Sequence, residues 1–271
     1  MALARPATPD PTTIALLLFM RRKEQSAPHD RSLPVEHPAP YVTLSFFQYE
    51  GRERLWGMRQ MAEMRAPLKQ VAGLRFHKLL GTGGGTGYDF WPDWGTYALL
   101  CGWSDERSAI DFHSAHPVHQ AFRAHTTELY TLHLEPYLSR GEWSGINPFA
   151  SGRNPSAGPL AVLTRATIKP SYVIPFWKRV GAVARSLEGR EGLLFTKGIG
   201  ELPWVVQATF SVWRSEQDMQ AFAYARAVPH AQAVARTRKA YGFSEELYAR
   251  FTVLRSEGTW RNSDPVSGLV R

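Results

Sequence analysis

The sequence predicts an α+β fold in which two ferredoxin-like βαββαβ repeats pair within one chain as a pseudo-dimeric α+β barrel. Three observations carry this prediction. "GLRFHKLLGTG" at 73–83 recurs as "GLLFTKGIGE" at 192–201, which aligns Phe76 with Phe195, Lys78 with Lys197 and Gly81 with Gly200. Flanking segments follow in the same order with small gaps: "RLWGM" (54–58) meets "PFWKR" (175–179), "TYALLCGWSDERSAIDF" from Thr96 meets "VVQATFSVWRSEQDMQAF" from Val205, "ELY" at Glu128 meets "ELY" at Glu246, and "RGEWSG" at Arg140 meets "SEGTWRN" at Ser256. Each copy also reads as strand, helix, strand, strand, helix, strand, the ferredoxin-like order.

Residues 1–40, rich in Pro and charge, are expected to form a mobile N-terminal tail or to reflect an inaccurate start. Their apolar run, Ile14 to Met20, is far shorter than the roughly 20 residues that cross a bilayer. A basic pair follows the run where a signal peptide would have it in front. The first repeat occupies 41–143. It opens on the strand "YVTLSFF" and continues into a helix over about 52–70 with apolar side chains three and four apart. The "GL.F.K" strand and a strand ending in Trp103 follow, then a helix capped by Ser104 and a closing "ELY" strand. Residues 144–159 have the Gly, Pro and Ser content of a linker. The second repeat, 160–256, has "LAVLTRATI", a helix over 171–187, a strand ending in Trp213 and a helix capped by Ser215. Residues 257–271 form a C-terminal tail. A sheet of this order buries one face under its helices and leaves the other bare, so the second copy supplies the missing cover.

At 271 residues with 44% hydrophobic and 12% aromatic content, the chain has ample apolar surface for a large core. A single cysteine, Cys101, excludes an internal disulfide framework and a thiolate metal cluster, and fits a cytoplasmic protein. The formal charge of +8 suits an acidic partner or anionic lipid. No recognised motif gathers the basic residues on one face, which argues against nucleic acid.

Function is sought where the copies differ. The first carries "GTGGGTGYDFWPDW" from Gly81 to Trp94 where the second has "GELP". The glycines lack a following Lys-Ser or Lys-Thr and a helix start, against a phosphate loop. Tyr88, Phe90, Trp91 and Trp94 would make a lid over an apolar pocket, with a plain surface loop as the competing reading. Histidines also differ: the first copy has His113, His116, His119 and His125, whereas the matching region of the second has only His230, beside Pro229 and a run of alanines. Small neighbours leave room for a flat ligand, and generic helix packing accounts for them as well. His116 and His119 lie three apart without an acidic residue to complete a metal set. Arg165 stands where the first copy has Phe46, costly in an apolar strand unless it meets an anion or reaches water. Lys78 and Lys197 occur in both copies, as a shared structural role requires. No spacing supports a nucleophilic triad.

The segments "LSFFQYEGRERLWGMRQM", "GLRFHKLLGTG", "RGEWSGINPF", "LTRATIKP", "FTKGIGELP", "QATFSVW", "PHAQAV" and "EELYARF" together resemble the spheroidene monooxygenase family, the carotenoid ketolases of photosynthetic bacteria, from about Tyr41 to Asp264. The resemblance implies a monooxygenase that inserts oxygen at C2 of acyclic carotenoids such as spheroidene, giving 2-hydroxy and then 2-keto products (spheroidenone). It implies haem b iron, molecular oxygen and electrons from reduced ferredoxin. His230 is then the expected axial ligand of the iron, with His119 second and His77 third, and Arg165 and Lys197 are the cations available to the cofactor. A membrane-dwelling polyene implies peripheral membrane association, and the positive surface would suit either lipid or ferredoxin. Two other readings stay open: a cofactor-free monooxygenase on a ferredoxin-like fold, and a non-catalytic carrier of haem or another hydrophobic ligand.

Overall fold

The computed structural model describes residues 38–85, 90–150, 152, 154–155, 157–178, 180, 189–224 and 242–270. In the first repeat β1 (Tyr41–Gln48) leads into helices α1 (Glu53–Glu63) and α2 (Arg65–Leu68), then β2 (Leu74–Gly83) and β3 (Pro92–Trp103). Helices α3 (Glu106–Ala115) and α4 (Pro117–His125) precede β4 (Glu128–Gly141). The second repeat runs from β5 (Leu160–Ile168) through a 3-10 turn and a helix, α5, over 173–178. It continues with β6 (Leu193–Leu202), β7 (Val206–Trp213), α6 (Glu216–Tyr224) and β8 (Phe243–Gly258).

The eight strands close a barrel in the order β1-β3-β2-β6-β7-β5-β8-β4. Each half keeps the ferredoxin-like order, and the halves meet at two unequal seams. Strands β4 and β8 pair along a long ladder from Tyr130↔Gly258 to Gly141↔Leu247, whereas β2 and β6 share only Gly81↔Gly200 and Thr82↔Ile199. Alternation along every strand then sorts side chains to two faces. Inward positions, among them Val42, Leu44, Phe46, Leu80, Leu132, Phe195, Phe210 and Phe251, build one buried core shared by both repeats. Outward positions of the first repeat, including Phe47, Leu99, Cys101 and Trp103, pack under its helices with Phe112 and Phe122.

Registers expose the internal symmetry. β1 meets β3 with Tyr41 opposite Trp103, and β5 meets β7 with Leu160 opposite Trp213, so Phe46 and Arg165 are equivalent inward positions. Both "GL.F.K" strands even carry the same irregularity, between Leu74 and Phe76 and between Leu193 and Phe195. The "ELY" match, by contrast, is one residue out. Gln48 opposite Glu128 and Thr167 opposite Glu245 make Glu128 the equivalent of Glu245, not Glu246. A one-residue slip exchanges the faces of the sheet, so burial decides the register. Gly141 and Gly258 confirm it: both have positive φ (85° and 78°), and an added Cβ would lie 2.2 Å from Glu246 O and 2.0 Å from Leu129 O, the two members of the corrected pair.

Both repeats finish in a turn that folds a tryptophan onto the core, Trp143 bridged to Ile146 and Trp260 to Ser263. Trp260 packs on Phe46 and Phe195, with ring centroids 5.5 Å from each. Residues after β8, expected as a tail, instead pack here: Val266 is fully buried, and Asp264 accepts hydrogen bonds from Tyr130 and Ser256. Helix α3 is capped by Asp105, whose carboxylate accepts from the Ser108 N–H at 2.8 Å, in place of the expected Ser104. Ser215 does cap α6, accepting from the Asp218 N–H at 3.1 Å.

Candidate functional site

An apolar cavity of about 210 Å³ lies over the short β2–β6 seam. The first repeat contributes Met58 and Met61 of α1, Pro92, Trp94 and Tyr97 of β3, and Phe90 just before that strand. The second contributes Trp177 of α5, Gly200, Pro203, Trp204 and Gln207. Gly81 and Gly200 pair across the seam, and a Cβ on Gly200 would lie 2.5 Å from Val206 O of its own hairpin. Phe90, one of the residues expected in the lid, meets the second repeat here. Phe90 lies 5.5 Å from the ring of Trp177 and 5.6 Å from that of Trp204, whose indole N–H donates to Phe90 O at 2.9 Å. The Trp177 indole in turn donates to Trp204 O at 3.0 Å, and Trp204 itself adopts φ 66°, a strained value for a bulky residue. Trp91 and Trp94 are exposed beside them, and Tyr88 lies outside the described residues. Within this apolar wall Tyr97 is buried, and its hydroxyl has no hydrogen-bond partner among the described residues.

The outward face of the second sheet continues from this cavity. Gly200 and Gln207 line the cavity, and two residues further along the same strands Gly198 and Thr209 face the same way. Register equivalence shows what is missing there. Where the first repeat has Phe47, His77, Leu79, Leu99 and Cys101 on this face, the second has Ala166, Thr196, Gly198, Thr209 and Ser211. Phe47 is buried and stacks on Phe122 at 4.8 Å, where the second repeat has only the methyl group of Ala166. The result is a floor of small side chains. At its far edge the buried Arg250 donates to Tyr248 Oη at 2.7 Å and to Glu216 at 2.9 Å.

Arg165 and Lys197 point the other way, into the barrel. Arg165 is 4% exposed, pairs with Glu245 and lies 3.7 Å from Glu201, with Trp143 beneath its guanidinium. Burial alone would raise the Glu245 pKa, but the Gly145 N–H and the Arg165 charge bring it below the ordinary value. Lys197 donates to Gly85 O at 3.2 Å and lies 3.6 Å from Asp93; Lys78 meets Glu201 and Ser144 Oγ, each at 2.7 Å. Each lysine thus reaches an acidic residue of the opposite repeat and sits over a tryptophan, Trp260 or Trp143.

His230 lies outside the described residues, in the segment joining α6 to β8. His119 is buried against Phe47 and Phe112, its Nε2 3.2 Å from His113 Nδ1. Desolvation, and next the charge of Arg123, push its pKa down to about 4; His113 is held well below its ordinary value by burial and by His119 and His133. His133 completes a buried trio, hydrogen-bonded to Tyr41 at 3.1 Å. Among the described residues no group of three or more His, Cys, Asp and Glu is arranged to hold a metal. His77 is half-buried on β2, with burial lowering its pKa. His116 caps α4, accepting from the Val118 N–H, and His125 stacks on Trp56 at 3.9 Å.

Comparison with known proteins gives this architecture a family. The chain is 39% identical over 235 residues to a protein named spheroidene monooxygenase from Rhodobacter capsulatus, covering 85% of this chain and 97% of that one. Proteins of the same name from Cereibacter sphaeroides and Rubrivivax gelatinosus are 36% and 37% identical, over 83% and 77% of this chain. The chain belongs to the spheroidene monooxygenase family. No family model matches it. Its fold is shared by aldoxime dehydratase crystallised with butyraldoxime, at 13% identity and a TM-score of 0.57 over 84% of each chain. A second aldoxime dehydratase structure, at 12% identity, gives 0.52.

For this spheroidene monooxygenase relative, two parts of the site escape a linear reading. The cavity joins Phe90 to Trp204, 114 residues apart, across a seam of two paired residues. The small-residue floor appears only once both repeats are placed in register. Its signal was present in the sequence as Phe47 against Ala166 and Leu79 against Gly198, in segments already aligned.

Proposed function

We propose that the chain is a haem b-dependent carotenoid monooxygenase that oxidises C2 of spheroidene-type acyclic carotenoids to the 2-hydroxy and 2-keto products, with electrons from reduced ferredoxin. The observation that carries this reading is the apolar cavity opening onto the small-residue floor. One end of a long, thin polyene would enter the cavity, and a flat macrocycle would lie on the floor. Inside the barrel Phe46, Phe195 and Trp260 pack ring against ring within the shared core. His230, which lies outside the described residues, is the residue proposed to hold the iron; Ala166, Gly198 and Thr209 would offer a flat group its floor, with Arg250 the buried cation on that face. Arg165 and Lys197, the cations first assigned to the cofactor, act from the barrel side, where their ion pairs keep the floor strands in place.

When bound, haem supplies the oxygen activation that side chains lack. The protein's own contribution is placement. The lid of Phe90, Trp177 and Trp204 keeps water out, and the cavity walls align the polyene along the seam so that its end reaches the floor. Tyr97 offers a desolvated O–H to an ether or hydroxyl oxygen next to the reacting carbon. Burial and the nearby Asp93 raise its pKa, so it stays a neutral donor. The net change is one methylene, one O2, two electrons and two protons giving a secondary alcohol and water; a second round gives the ketone. Peripheral association with the membrane would deliver the substrate. Among the described residues no helix is long and apolar enough to cross a bilayer.

Absorption spectra of the haem-supplemented protein and of His230→Ala test the reading. A Soret band in the first that is lost in the second is expected. A band retained in the variant moves the ligand to His119 or another residue, and none in either favours a cofactor-free enzyme or a carrier of another ligand.

A further inference from the structure

The mouth of the cavity is ringed by side chains that do not belong in water. Among the described residues, nine large apolar side chains are exposed, and seven of them surround this one opening. Leu55 (63% exposed) and Met58 lie three apart on α1, where Met58 also lines the cavity. Ile174 (69%) stands three residues before Trp177, another lining residue. Leu202 (53%) precedes the lining Pro203, and Phe90, Trp91 and Trp94 complete the rim from the first repeat. Ile110 and Leu269 are the two that lie elsewhere. Scattered exposed apolar residues are ordinary; seven around one mouth form a patch. The fold puts them together, since both hairpin loops and the first turns of α1 and α5 converge where β2 meets β6.

We propose that this rim is a membrane-docking face, which inserts into the headgroup region of an anionic bilayer with the cavity mouth turned to the lipid. The proposal rests on the carotenoid reading and deepens it by naming the surface through which the substrate arrives. Four tryptophans, Trp91, Trp94, Trp177 and Trp204, cluster here, and tryptophan favours the boundary between lipid and water. Arg52 and Arg54 at the start of α1 and Lys178 on α5 are exposed beside the rim, and the whole chain carries +8. Such a charge draws the face to anionic lipid, after which the apolar side chains give a bound state less sensitive to salt. A polyene would then pass from bilayer to cavity without crossing water.

The test uses vesicles free of carotenoid, so that binding is read independently of chemistry. The full chain is sedimented with phosphatidylcholine vesicles, with and without phosphatidylglycerol, beside Leu55→Ser/Ile174→Ser/Leu202→Ser and the control Ile110→Ser. None of the three rim positions lines the cavity. Binding that requires phosphatidylglycerol and falls by about tenfold or more in the triple variant, but not in the control, is the expected result. Equal losses in both variants, or no vesicle binding by the wild type, overturn the proposal. Concentration-dependent dimerisation abolished by the triple variant, without vesicle binding, would instead make the rim an interface between two copies. Turnover separates the two readings. The triple variant should oxidise detergent-dispersed carotenoid normally and vesicle-embedded carotenoid poorly; if neither form is oxidised even by the wild type while rim-dependent binding persists, the docking face stands and the carotenoid reading falls.

Discussion

Installing the first repeat's side chains on the second repeat's floor should separate haem binding from folding. In Ala166→Phe/Thr209→Leu, the two positions take the residues found at Phe47 and Leu99, both buried in the first repeat. Burying side chains of this size stabilises by about 1.5–3 kcal/mol each when the space is free. Loss of the Thr209 hydroxyl and imperfect fit reduce that, so a gain of roughly 2–4 kcal/mol is expected for the apoprotein. At ~2–4 °C per kcal/mol, the apoprotein melting temperature should rise by several degrees. For a holoprotein with haem on this floor, as proposed, the sign should reverse, because the phenyl ring and the macrocycle would claim the same volume. Overpacking of about 1–3 kcal/mol weakens binding by roughly 5- to 150-fold, and full occlusion abolishes it. Haem titration followed at the Soret band, beside calorimetric melting of the apoprotein, reads both effects. A variant that binds one haem with unchanged affinity would refute the placement on this floor.

Three further outcomes follow from the same geometry. Arg165→Ala leaves Glu245 and Glu201 without their shared cation inside the barrel and should cost about 3 kcal/mol in urea unfolding. Gly141→Ala should cost at least ~3 kcal/mol, since φ is 85° and the new Cβ would meet Glu246 O at 2.2 Å; Gly145→Ala, with φ 77° but open space around it, should cost only about 1 kcal/mol. Acid should weaken the fold through His119 and His113. Their folded-state pKa values lie below the unfolded value of 6.5, so the unfolded chain binds more protons and stability is lost as pH falls from about 6.5 towards 4. His119→Leu should flatten that limb of the urea-midpoint profile, whereas an unchanged profile would remove the buried trio as its cause.

Much of the barrel was legible in the sequence because duplication repeats geometry as well as composition. Phe76 and Phe195 follow the same strand irregularity, Trp103 and Trp213 close equivalent strands, and Arg165 stands opposite Ala208 as Phe46 stands opposite Ala98. The "ELY" segments misled because identity of three letters carries no information about which face a strand presents; Leu129 turns outward, and its true counterpart is Glu246. Barrel closure is harder to read, for only two residue pairs join β2 to β6 and neither differs in type from an ordinary edge. The histidine trio was likewise hidden, since His133 comes from β4 and meets His113, the partner of His119, only after the helices fold onto the sheet.

The most direct test of the central claim is turnover of spheroidene under 18O2 by the purified, haem-loaded protein with reduced ferredoxin, analysed by mass spectrometry. The account predicts 2-hydroxy and 2-keto products whose new oxygen comes from O2, and none from protein stripped of haem. Unlabelled products, equal turnover without haem, or bound carotenoid returned unchanged would contradict it.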